Sequence, residues 1–225
     1  MKGVVRRLAL LFLVVAIGLG PVSTFGVHAQ EEDEVARLME RMSSAARVGQ
    51  LFMVTFPGAE VTEDDAIAEL IRDYHVGGVV LKPENGNIIN TGQTPEQVAT
   101  LATQLQETTW QATRTLTDTV SDPFIPLFVA VRQEGNGMPY TGIVSGTTPL
   151  PSQMALGATW DISHTMRVGQ IVGRELEAMG INMLLGPSLD VLETPRPTSS
   201  GDLGVRTFGG DPFWVGQMGT AYIRG

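Results

Sequence analysis

The sequence predicts an α/β protein built as the first four βα units of a TIM-type (β/α) barrel, truncated before the barrel closes. Three observations predict it. Apolar runs at residues 51–56, 79–81, 126–131 and 181–185 alternate with segments of helical periodicity, the pattern of an α/β fold. The runs are apolar throughout rather than alternating, which reads as parallel strands buried on both faces. Long loops rich in Gly, Pro, Ser and Thr follow the third and fourth runs, at the strand ends where barrel enzymes build their sites. An open doubly wound sheet fits the same alternation. No Gly-x-Gly-x-x-Gly follows the first run, which counts against a dinucleotide-binding version of it.

Taken in order, residues 30–46 start acidic and carry Val35, Leu38, Met39 and Met42 at helical spacing. Pro57-Gly58 ends the first strand. Thr62 is placed to cap a helix reaching about Tyr74, with Glu63, Asp64 and Asp65 in its first turn. Gly77-Gly78 lead into the second strand. Thr94 and Pro95 mark a helix start, and Val98, Leu101, Ala102 and Leu105 form its apolar face to about Arg114. Residues 132–157 form the first long loop. Asp161 or Ser163 caps a helix that Gly180 ends, and the fourth strand runs into Gly186-Pro187. Residues 190–210 form the second long loop, and a last helix starts at Asp211-Pro212.

The 225 residues contain no cysteine, so disulfides, thiolate metal sites and a cysteine nucleophile are excluded. The N terminus differs from the rest. Lys2, Arg6 and Arg7 precede an apolar run over residues 8–20, shorter than the roughly 20 residues a membrane-spanning helix needs. Pro21 breaks the run, and Val27-His28-Ala29 has the small-x-small form of a cleavage site. Residues 1–29 are therefore expected to be a signal peptide cleaved after Ala29, which makes the protein secreted or periplasmic. The domain reading is a signal peptide over 1–29, an acidic linker and leading helix over 30–46, and a partial barrel domain over 47–225. Cleavage removes three of the 15 basic residues and none of the 24 acidic ones, deepening the formal charge from −9 to −12. Such a chain is a poor partner for nucleic acid or an anionic membrane.

Candidate chemistry gathers at the strand ends. Glu134 follows the third strand within Arg132-Gln133-Glu134-Gly135-Asn136-Gly137. A carboxylate there is either an acid, base or hydroxyl acceptor, or the partner of a nearby arginine that fixes the loop. Asp190, after the fourth strand, either accepts hydrogen bonds from hydroxyls or braces its own turn. Arg206, in Val205-Arg206-Thr207-Phe208-Gly209, could hold a ligand oxygen or pair with an acid. His75 and His164 are isolated, so neither metal nor cofactor is expected. Trp110, Trp160 and Trp214 read as packing residues.

These segments together resemble the N-terminal domain of glycoside hydrolase family 3. The resemblance runs from Arg47-Val48-Gly49-Gln50-Leu51-Phe52 through Gly77-Gly78-Val79-Val80-Leu81 and Gln133-Glu134-Gly135. It continues through Pro151-Ser152-Gln153-Met154-Ala155-Leu156-Gly157 and Gly186-Pro187-Ser188-Leu189-Asp190 to Arg206-Thr207-Phe208-Gly209-Gly210-Asp211-Pro212. It implies a barrel enzyme that removes terminal β-linked sugars with retention, through an aspartate nucleophile and a glycosyl-enzyme. Retention places the usual carboxylate pair about 5–5.5 Å apart. The run around Gln133 and the run from Pro151 to Gly157 look closer to the β-N-acetylhexosaminidase branch than to the β-glucosidase branch. The implied partner is a β-glycoside or peptidoglycan fragment.

The resemblance implies a substrate-contacting role for Arg206, and Arg132, Asp190 and Glu134 complete the candidate substrate-binding set, with departures. Arg132 stands where the family usually has an aspartate that grips sugar hydroxyls, and Asn136 replaces a glycine. The family's Lys-His-Phe-Pro-Gly-His-Gly run and its nucleophile lie beyond the segment resembled, so no catalytic residue is assigned. The chain is expected to be an inactive fragment of a glycosidase. The alternative is a non-catalytic sugar-binding pseudo-enzyme, which Arg132 favours. An aldolase-like lyase would need a Schiff-base lysine at a strand end, for which Lys82 is the candidate. Self-association through the open strand edges is expected.

Overall fold

A computed structural model describes residues 26–114, 122–194 and 203–225. The expected signal peptide lies outside the described residues as far as residue 25, and so does the part of the second loop over 195–202. The chain divides into two units, Met1–Met42 and Ser43–Gly225. In the first, helix α1 (Gly26–Arg41) leaves Val35 and Met39 exposed. The single helix expected over 30–46 is interrupted. Ser43 takes an extended backbone and its hydroxyl accepts the Ala46 N–H at 3.0 Å, starting α2 (Ser44–Gly49) afresh. Among the described residues, no helix is long and apolar enough to cross a membrane.

The second unit is built on four parallel strands: β1 (Met53–Val54), β2 (Gly78–Leu81), β3 (Phe128–Val131) and β4 (Met183–Leu184). Their spatial order is β1-β2-β3-β4, the order of the chain. A doubly wound sheet reverses direction at a switch point, and this one does not, so it is an open segment of barrel wall. Helices α3 (Ala66–Arg72), α4 (Thr94–Ala112), α5 (Gln153–Gly157), α6 (Ile162–Ala178) and α7 (Pro212–Arg224) lie between and after the strands.

Strand register assigns each side chain a face. Val54, Val79 and Val129 share one row, and Leu81, Val131 and Leu184 share another on the same face. These residues join Val98, Leu101 and Leu105 of α4 and Val168, Val172 and Leu176 of α6 in one core. Each fully buried aliphatic side chain contributes about 1.5–3 kcal/mol to holding the helices against the sheet. The other face carries Met53, Gly78 and Phe128, then Val80, Ala130 and Met183. Here the expectation of strands buried on both faces fails. Phe128 is 49% exposed, and Met53 is exposed too, because no layer covers the Met53–Gly78–Phe128 row among the described residues, whereas Ala130 in the next row of the same face is buried. The first strand is correspondingly shorter than the apolar run at 51–56. Among the described residues it pairs only with β2, and Leu51, at 83% exposure, is not buried at all.

The helix starts show which local signals decided. Asp161 accepts the Ser163 N–H at 2.8 Å to begin α6, and Gly180 at φ 74° ends it, as the sequence predicts. Asp211 accepts the Trp214 N–H at 2.8 Å and begins α7. Thr62 does not cap α3. Its own N–H donates to the Asp65 carboxylate at 2.6 Å, and the acids predicted for the first turn form a turn ahead of the helix. Trp160 is likewise not a packing residue. It is 71% exposed and stacks on Trp214 with ring centroids 4.9 Å apart.

Candidate functional site

The site lies where β3 and β4 deliver their loops. Beyond buried Val131 the strand alternation turns Arg132 to the inner side and Gln133 to the core. Gln133 then fixes the loop. Its amide donates to the Ile143 carbonyl at 2.8 Å and accepts the Ile143 N–H at 3.1 Å. Backbone bonds from Gly142 to Arg132 (2.8 Å) and from Glu134 to Tyr140 (3.0 Å) fold residues 132–142 back on themselves. Gly135 is the residue that permits this. Its φ is +83°, and a Cβ there would meet the Pro151 carbonyl oxygen at 2.7 Å. The fold-back carries Tyr140 to the position where Arg206 arrives from the other loop.

The second loop is locked by its own residues. The Thr207 hydroxyl, fully buried, donates to the Asp190 carbonyl at 2.9 Å. Phe208 is buried against Gly157, where a Cβ would fall 1.9 Å from the Phe208 carbonyl oxygen. Immediately before them, a 3-10 turn over Gly204–Arg206 points the guanidinium at Glu134. Arg206 Nε and Nη2 donate to the two oxygens of Glu134 at 2.8 and 3.0 Å, a bidentate fork. The Glu134 side chain is 4% exposed and that of Arg206 is 21% exposed. The same guanidinium lies 4.1 Å from the Tyr140 ring centre, a cation–π contact. Hydrogen bonding to Glu134 raises the Arg206 pKa above its ordinary value, against the opposing effect of its partial burial.

Arg132 completes the cluster from the solvent side. Its Nε is 3.6 Å from Glu134, too long for a hydrogen bond, and its guanidinium is 5.9 Å from the Tyr140 ring centre. Three of the four residues singled out in the sequence, Arg132, Glu134 and Arg206, therefore meet. Asp190 braces the second loop through its carbonyl, which accepts from Thr207, and its charge adds to the rise of the Arg206 pKa. Its carboxylate is turned to solvent, where it accepts the Ser188 hydroxyl at 2.8 Å. Since Glu134 is enclosed with both oxygens filled, a ligand arriving at this mouth meets the guanidinium groups rather than the carboxylate. Tyr140 was not singled out by the sequence reading; its proximity depends on a loop fold-back that no local spacing encodes. Gln153, also missed, is buried with no partner for its Nε2 among the described residues.

Tyr222 of α7 feels the same cluster. Burial pushes its phenol pKa up to about 12, and the Glu134 charge acts in the same direction. The fold thus favours the protonated phenol. Its contribution is whole below about pH 10, the unfolded value, and is lost as pH rises through about 12; two units amount to roughly 2–3 kcal/mol. Urea midpoints of Tyr222→Phe should therefore fall less steeply than wild type between about pH 9 and 12. Equal slopes would remove Tyr222 as the cause.

Comparison with known proteins places this geometry. Residues 44–225 match the Glycosyl hydrolase family 3 N terminal domain. A β-N-acetylglucosaminidase/β-glucosidase of Cellulomonas fimi is 30% identical over 192 residues, which are 84% of this chain and 28% of that protein. A β-hexosaminidase A of Pseudoalteromonas piscicida is 31% identical over 74% of this chain and 25% of its own length. Among solved structures, a family 3 β-N-acetylglucosaminidase from Paenibacillus sp. str. FPU-7 superposes with a TM-score of 0.67 at 35% identity. That match covers 81% of this chain and 30% of that one. The chain thus spans between a quarter and a third of the length of these relatives. With the open parallel sheet, the loops at its C-terminal end and the motif order all in agreement, the chain belongs to glycosyl hydrolase family 3, and residues 44–225 are its N-terminal-domain sequence.

Proposed function

We propose that this chain forms the sugar-binding wall of a retaining glycoside hydrolase that removes terminal β-linked sugars, of the β-N-acetylhexosaminidase kind, from carbohydrate or peptidoglycan fragments. The observation that carries this is the Arg206–Glu134–Tyr140–Arg132 cluster at the C-terminal end of the sheet. Barrel enzymes hold substrate at that end, and the fork that Glu134 imposes on Arg206 keeps a donor oriented there. Names of relatives that include β-N-acetylglucosaminidase and β-hexosaminidase support the choice of sugar.

The carboxylate within the cluster, Glu134, already has both oxygens on Arg206. A free nucleophile or proton donor is therefore not what this cluster provides. Residues 1–225 by themselves are expected to bind a β-glycoside without cleaving it. Calorimetry with methyl β-N-acetylglucosaminide, beside a nitrophenol-release assay, tests both halves. Saturable heat with no release above buffer is the expected outcome. Absence of binding sinks the sugar-site reading, and release that co-purifies with the chain sinks the non-cleaving one. The non-catalytic pseudo-enzyme reading is favoured by Arg132, a cation at the mouth of the site.

Export is part of the proposal. It is supported by the basic start, the short apolar run and the Val27-His28-Ala29 sequence. Mass spectrometry of protein recovered from outside the cytoplasm should find Gln30 at the N terminus; an intact Met1 there would overturn cleavage after Ala29.

A further inference from the structure

The cluster carries more positive charge than its carboxylate can occupy. Arg206 fills both oxygens of Glu134, so Arg132 stays at 3.6 Å with its side chain 54% exposed. A second cation stands next to it. Leu81 of β2 is in register with Val131 of β3, so Lys82 and Arg132 are adjacent positions on neighbouring strands, both one step past a core-facing residue. Lys82 and Arg132 line one cleft together with Glu84, Pro139, Gly142 and Leu185. Glu84 lies 3.9 Å from Lys82 on the same cleft with its side chain exposed, and offsets one of the two cations, so the cleft keeps a net positive charge through Arg132. The chain as a whole has a formal charge of −9, so a basic cleft at the sheet's C-terminal end is not its background.

The size of the cleft limits what it can take. Its volume is about 120 Å³, small beside the roughly 300–1,000 Å³ of a typical ligand pocket, so it suits one substituent of a sugar rather than the whole ring. The chemistry of its donors narrows the choice further. A sugar hydroxyl brings a proton as well as lone pairs, and neither a guanidinium nor an ammonium can accept that proton. A carboxylate brings only lone pairs, in the planar geometry that a guanidinium fork matches.

We propose that this cleft selects a carboxylate-bearing sugar: the glycoside held at this site is acidic, with its carboxylate between Arg132 and Lys82. The inference rests on the carbohydrate-site reading and deepens it. Arg132 is then the specificity-determining residue, since its fork is not engaged by Glu134. Lys82 adds a point charge from the neighbouring strand. Arg206, fixed on Glu134 and the Tyr140 ring, keeps Glu134 from capturing Arg132.

Calorimetry on residues 1–225 tests this with methyl β-glucuronide and methyl β-glucoside, which differ by a carboxylate in place of a hydroxymethyl group. Free acetate serves as the anion without a sugar. The glucuronide is expected to bind about tenfold or more tighter than the glucoside, the effect of one charge-assisted hydrogen bond. In Arg132→Gln the preference should shrink to about twofold, and Lys82→Gln should weaken it in part. Both side chains reach solvent, and circular dichroism checks that each variant is folded. Equal affinity for the two glycosides overturns the inference while leaving the sugar site standing. Binding of methyl β-N-acetylglucosaminide but of neither of these two glycosides overturns the inference alone, and binding of none of the three overturns both. Acetate binding as tight as the glucuronide, or a preference that survives both substitutions, also overturns it.

Discussion

Replacing Arg206 with alanine is expected to destabilise the second unit by about 3–5 kcal/mol, the range for removing one partner of a buried ion pair. The cost arises mostly at Glu134. Its side chain is 4% exposed, so water cannot take over the two hydrogen bonds at 2.8 and 3.0 Å. Arg132, at 3.6 Å, is the cation left nearby, and it reaches Glu134 from the solvent side without a hydrogen bond. The reciprocal change, Glu134→Ala, should cost less. Arg206 is 21% exposed and retains the Tyr140 ring and access to water. The double variant should cost less than the sum of the single ones, since the second substitution removes a group already orphaned by the first. Urea denaturation of the four proteins measures the cycle. An Arg206→Ala loss below about 1 kcal/mol would mean that the fork is a surface ion pair in energetic terms. If Glu134→Ala proved the costlier, the buried-carboxylate argument would be reversed.

The legibility of this fold in the sequence followed how local each signal was. The face of α4 formed by Val98, Leu101, Ala102 and Leu105 is buried as its spacing predicts, because helical periodicity is set within a few residues. Asp161 and Asp211 act as caps for the same reason. Strand burial is not encoded locally, because it depends on what stands across the sheet. Residues 51–56 look like any buried parallel strand, yet β1 has one neighbour and an uncovered inner face. Thr62 lost its predicted role to Asp65, whose longer, charged side chain takes the Thr62 N–H. At the site, Glu134 and Arg206 are 72 residues apart, and their fork joins two separate loops. The residue types announced either a ligand contact or an ion pair, and the spacing alone left both open. The Lys82–Arg132 adjacency was within reach of sequence reasoning. Each follows a strand's last core-facing residue, and aligning the ends of two parallel strands puts them side by side.

The second large effect is on association. Residues 1–225 are expected to sediment as a dimer or larger species, and Phe128→Lys to shift them toward monomer. Two features drive this. The inner face exposes Phe128 and Met53 on either side of Gly78, whose lack of a side chain leaves nothing from β2 to cover the ring or the thioether. Covering an aromatic side chain is worth about 1.5–3 kcal/mol, and a lysine in its place adds a charge that a second copy would have to desolvate. The outer edges of β1 and β4 also offer unpaired backbone groups, since each strand has one partner in the order β1-β2-β3-β4. These edges are two residues long, too short to hold two chains by backbone bonds alone, so the apolar face supplies most of the driving force. That ordering gives the test its discrimination. Phe128→Lys should dissociate the assembly, whereas a proline placed at Met53 to block the β1 edge should weaken it only slightly. Sedimentation of wild type as a monomer across the accessible concentration range would refute the association. A stronger effect of Met53→Pro than of Phe128→Lys would assign it to the edge instead of the face.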